Sequence, residues 1–180
     1  MRFVTVLGTA AACLVIASPV AVFAEGVGKG QNEIAGRLSY ANVDAGPVET
    51  TETDFSLSYG RYLTDSHQVG LIASYFDQEI EEEGFGSVSA DGTALGAFYH
   101  FNFLTSGIIT PFLGVNASFL GGDIGDVYDF QYGIEGGIKV YPFEHAGFAF
   151  GIEWSQLQAS EDYYEDADGL AFGAGLLIRF

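Results

Sequence analysis

The stretch FQYGIEGGIKVY, residues 130–141, sorts its side chains by parity. Phe130, Tyr132, Ile134, Ile138 and Val140 share one parity, and Gln131, Gly133, Glu135, Gly137 and Lys139 share the other. FAFGIEW, residues 148–154, does the same, with Phe148, Phe150, Ile152 and Trp154 against Ala149, Gly151 and Glu153. A period of two marks a β-strand whose two faces meet different surroundings. The pattern recurs and predicts eight strands, near 31–43, 53–63, 68–80, 93–104, 110–122, 129–142, 146–158 and 169–180. The third alternates least cleanly, because Ile72 and Phe76 oppose Leu71 and Tyr75 in parity. Strand content this high is out of proportion for an ordinary soluble domain. A closed barrel accounts for it.

The connections alternate as well. TDSH, TSGIIT and FEHA are short; DAGPVETTE, EEEGFGSVSADG, GDIGDVYD and SEDYYEDAD are longer and acidic. Short turns at one end and long loops at the other are the pattern of an up-and-down membrane barrel. The bulky apolar parity has no helix in the chain to cover it. The other parity carries small and polar residues such as Ser56, Gly96, Asn116, Ser118, Gly151 and Gly173. Apolar outside and polar inside satisfies every backbone group by strand pairing, as hydrocarbon demands. The expected fold is therefore all-β, an eight-stranded antiparallel up-and-down transmembrane β-barrel.

Five charges fall on the inward parity: Arg37, Glu135, Lys139, Glu153 and Arg179. Eight strands leave a narrow lumen that side chains fill. Isolated buried charges are costly, so the five are expected to pair as one network across the lumen. Arg37 and Arg179 lie on the first and last strands, which must meet to close the barrel.

The segment MRFVTVLGTAAACLVIASPVAVFA has one basic residue, an apolar run, and small residues at Val22 and Ala24. It reads as a signal peptide over 1–24, leaving a barrel domain over 25–180. Cys13 lies inside it as an ordinary small apolar residue, so the mature chain has no thiol chemistry. EGVGKGQN, residues 25–32, is expected as a short flexible lead-in, and it does not match a phosphate-binding loop. Twenty-four acidic residues face six basic ones, for a formal net charge of −18. A chain so acidic repels phosphates and excludes nucleic acid as a partner.

Together these features resemble the small eight-stranded outer-membrane proteins, the OmpA/OmpX-like β-barrel family. The resemblance covers the whole mature chain and includes the ending GLAFGAGLLIRF. It implies a Gram-negative outer membrane, termini in the periplasm and long loops outside. It also implies partners: outer-membrane lipid and lipopolysaccharide, and the barrel-assembly machinery during insertion. Phe172, Ile178 and Phe180 resemble the assembly signal of that family. A monomer is expected.

For function, the sequence favours a non-enzymatic structural or surface-interaction role, with no cofactor. The acidic loops could hold a surface ligand or divalent cations, although no spacing matches a calcium-binding loop. One alternative is a lipid A-modifying enzyme. His67 and His145 sit in short turns and His100 on an inward position, but no H-x-S pattern accompanies them. The other alternative is a small-solute pore, which eight strands leave little room for.

Overall fold

The computed structural model describes residues 27–44, 48–82, 86–160 and 166–180. The segment expected to be a signal peptide, 1–24, lies outside them.

Eight strands follow in chain order: β1 (Asn32–Asp44), β2 (Val48–Tyr62), β3 (His67–Glu82), β4 (Gly86–Asn102), β5 (Ile109–Gly122), β6 (Tyr128–Val140), β7 (Ala146–Ala159) and β8 (Ala167–Arg179). Each pairs antiparallel with its sequence neighbours, and β1 closes the barrel against β8. The closing register sets Glu33 opposite Arg179 and Arg37 opposite Gly175. No described helix is long and apolar enough to cross a membrane, and the apolar surface is carried by the strands.

That surface faces outward. Leu38, Leu57, Leu71, Leu95, Ile134 and Leu176 are all exposed, while Ser56, Ser118, Glu135 and Lys139 are buried. This inverts the usual arrangement of a soluble protein. The irregular parity of β3 also resolves. Ile72 and Phe76 point into the lumen, where Phe76 packs with Ala94 and Ile124.

Three expectations change. First, the long loops are shorter than the sequence suggested. Pairing continues to Val48↔Glu82 between β2 and β3 and to Glu82↔Gly86 between β3 and β4. Antiparallel hairpins keep adding ladder hydrogen bonds until a turn stops them, and the Thr-rich start of β2 favours extension. Second, the lead-in is pinned in place. Val27 is buried against Tyr62, Tyr141 and Leu177, its N–H donates to Thr105 O at 2.8 Å, and Gly30 N–H donates to Tyr62 O at 2.8 Å. Burial of an apolar residue and backbone bonding offset the ordering entropy. Third, the five inward charges do not form one network, as the site geometry shows.

Candidate functional site

The lumen holds two polar clusters, stacked along the barrel axis. The lower one, nearer the termini, is built around Lys139. Its Nζ donates to Glu33 Oε1 at 2.7 Å, Gln68 Oε1 at 2.7 Å and Tyr62 OH at 3.1 Å. Glu33 is in turn reached by Gln68 Nε2 at 3.0 Å, by Tyr62 OH at 3.3 Å and by Tyr141 OH. All three ammonium protons thus find oxygens, and both carboxylate oxygens find donors. Glu33, Gln68 and Lys139 are 4%, 0% and 2% exposed, so the section is closed to solvent. A charge pair this deep persists only when its hydrogen bonds are complete.

The upper cluster joins five strands, β1 and β4 to β7. Arg37 Nη1 reaches Glu135 Oε2 at 3.1 Å and Glu153 Oε2 at 3.5 Å. His100 Nε2 contacts Glu135 Oε1 at 2.7 Å, and Asn116 Nδ2 donates to Glu153 Oε1 at 2.8 Å. The His100 ring sits between Phe98 and Phe112, with centroids 4.5 and 4.8 Å away. Glycines make room for these side chains. A Cβ at Gly173 would collide with the Arg37 guanidinium, and one at Gly114 with the His100 ring.

Of the five predicted charges, Arg37, Glu135 and Glu153 come together. Lys139 belongs to the other cluster. Glu135 and Lys139 are four residues apart on β6, roughly 13 Å along a strand, too far to share partners directly. Arg179, the last residue of β8, donates from Nε and Nη2 to the Glu144 carbonyl at 3.2 and 2.7 Å. Its guanidinium lies 4.6 Å from the Tyr141 ring centroid. The sequence reading missed Glu33. It shares inward parity with Arg37 and sits near the start of β1. It also missed Tyr62, Gln68 and Tyr141, uncharged partners whose spacing carries no motif.

The remaining histidines hold structural contacts. His67 Nδ1 meets Tyr99 OH at 2.6 Å on the outer surface, and His145 Nδ1 meets Arg179 O at 3.2 Å. Among the described residues, no serine hydroxyl bonds His100, and no group of three His, Cys, Asp or Glu side chains converges as a metal site.

With this geometry in view, comparison with known proteins adds ancestry. The family described as OprF membrane domain matches residues 1–153. The chain belongs to the OprF membrane-domain family. It is therefore a Gram-negative outer-membrane β-barrel protein. The match ends within β7, so closure by β8 is seen from the strand pairing itself. Among solved structures, OprG from Pseudomonas aeruginosa is 13% identical with a TM-score of 0.58, the alignment covering 86% of this chain and 98% of that one. Neisserial surface protein A is 15% identical with a TM-score of 0.58, covering 83% and 96%. The N-terminal barrel domain of Pseudomonas aeruginosa OprF is 20% identical with a TM-score of 0.51, covering 85% and 99%. At these identities the likeness establishes the fold. No curated protein matches the chain.

Proposed function

We propose that this OprF-family barrel is a non-enzymatic outer-membrane protein with a structural or surface-interaction role, and that its lumen does not conduct. The observation that carries this reading is the Lys139–Glu33 cluster. It fills the lower lumen with side chains that are almost fully buried and mutually hydrogen-bonded. An eight-stranded barrel closed in this way has no water-filled path from end to end. The full chain in planar bilayers is expected to give no current steps. Reproducible single-channel steps with a linear current–voltage relation would support the pore reading instead. An enzyme would require a nucleophile, a base and an orienting group in reach of one another. Expression is expected to leave lipid A masses unchanged, and a new acyl pattern would overturn the non-enzymatic reading.

The surface role rests on charge. The six basic residues are Arg2, Lys29, Arg37, Arg61, Lys139 and Arg179. Of the described ones, Lys29, Arg37, Arg61, Lys139 and Arg179, none lies at the loop end, where Asp77, Glu79, Asp91, Asp123, Asp129 and Asp166 are exposed. Such a surface favours basic partners and repels other anionic surfaces. In this reading Phe172, Ile178 and Phe180 serve insertion through the assembly machinery. Deleting Phe180 is expected to lower the yield of folded barrel in cells several-fold while barely moving the denaturation midpoint of barrel already folded. Equal yield with and without it would remove the assembly role.

A further inference from the structure

Above the Arg37 ion pairs, toward the loop end, the barrel encloses a chamber of about 450 Å³. That volume falls within the range of small-ligand pockets. Its floor is the upper cluster, and beneath that lies the closed Lys139 section, so the chamber is a blind well rather than a passage. Its wall has two characters. One part is apolar, formed by Phe76, Ile72 and Ile124. The other carries the carboxylates of Glu52, Asp54 and Glu153.

The charges do not balance. Glu52 has no hydrogen bond or ion pair among the described residues, and its charged neighbours are Asp54 and Glu153. Asp54 accepts hydrogen bonds from Ser39 and Ser74, which are neutral donors. Arg37 is the one basic residue lining the described chamber; its Nη1 serves Glu135 and Glu153 and its charge also reaches Asp54, so a single cation faces Glu52, Asp54 and Glu153. Several carboxylates in a space walled by protein and ringed by lipid call for a counter-charge. A bare metal ion does not fit. It needs several oxygens converging on one point, and no described group of three does so. An ammonium on an apolar body fits both halves of the wall. It can hydrogen-bond a carboxylate on one side and lay its hydrocarbon against Phe76 and Ile72 on the other.

We propose that this chamber is a binding site for a small organic cation, an amine carrying an apolar or aromatic body. The anionic loop end concentrates such cations at the mouth, and Glu52 with Asp54 supplies the anchoring charge. The site is independent of conduction, since its floor is closed whether or not the loop surface has a protein partner.

The test is calorimetric titration of the full chain in lipid nanodiscs, with phenethylamine as probe. Saturable binding is expected, with 2-phenylethanol, the neutral counterpart of similar shape, at least about tenfold weaker. Glu52→Gln with Asp54→Asn is expected to weaken phenethylamine about tenfold or more, while the outward-facing Asp77→Asn leaves it unchanged. Absence of saturable heat in the millimolar range would overturn the proposal. So would equal affinity for amine and alcohol, a comparison that needs no variant. Displacement of phenethylamine by an equal concentration of magnesium ion would also overturn it, since the wall would then hold inorganic cations.

Discussion

Lys139→Met is expected to destabilise the folded barrel by about 3–5 kcal/mol, the cost of leaving one member of a buried ion pair without its partner. The methionine keeps the length of the side chain and most of its packing. What it removes is the charge that Glu33, Gln68 and Tyr62 are arranged around. Glu33, 4% exposed, then has only neutral donors. The single tryptophan, Trp154, sits on the outer face, 40% exposed, and its fluorescence follows unfolding of protein refolded into lipid vesicles. A denaturant midpoint equal to that of the natural protein would show that the cluster is not buried as described. Removing both charges, Lys139→Met with Glu33→Gln, is expected to recover a large part of the loss. Replacing a whole buried pair costs far less than breaking it.

Glu153→Ala provides the contrast within one lumen. Its side chain is 20% exposed toward the upper chamber, and water can replace what Asn116 and Arg37 lose. The expected cost is about 1–2 kcal/mol, typical of hydrogen bonds to a charged group with solvent nearby. Similar chemistry a few strand residues apart thus gives unequal penalties. Burial, more than the number of contacts, sets the difference.

Much of the barrel was legible because a strand between lipid and lumen must alternate at every position. That requirement writes itself into β6 and β7 with little interruption. It also made Arg37, Glu135 and Glu153 recognisable as inward charges. What it could not convey is height along the axis. Parity assigns a face, and only the shear of the closed register decides which inward residues share a level. Hence Lys139 was grouped with Glu135, its neighbour on β6, when its partner is Glu33 on β1. Leu177 is the inward residue of β8 at the level where Val27 closes the mouth, so an apolar side chain belongs there. Phe76 disturbed the pattern of β3 because the loop end of the lumen has an apolar patch of its own.

Leu71→Arg is the matching test of the outer face. Leu71 is 62% exposed, midway along the apolar part of β3, and paired with Tyr59 on one side and Ala97 on the other. In water an exposed leucine can become arginine at little cost. In a bilayer the same change at mid-depth costs about 2–4 kcal/mol, falling toward zero at the interfaces. Asp77 supplies the depth control, since it faces outward on the same strand, six residues nearer the loop end. Asp77→Arg is expected to shift the midpoint by less than about 0.5 kcal/mol, the usual scale of a surface change. The two variants differ in height and share strand and parity, so their ratio measures the environment of the outer face directly. Equal effects would mean that the apolar surface of β3 does not lie in hydrocarbon. A large penalty at Leu71 alone locates the membrane on the strand, with Leu71 inside it and Asp77 beyond its edge.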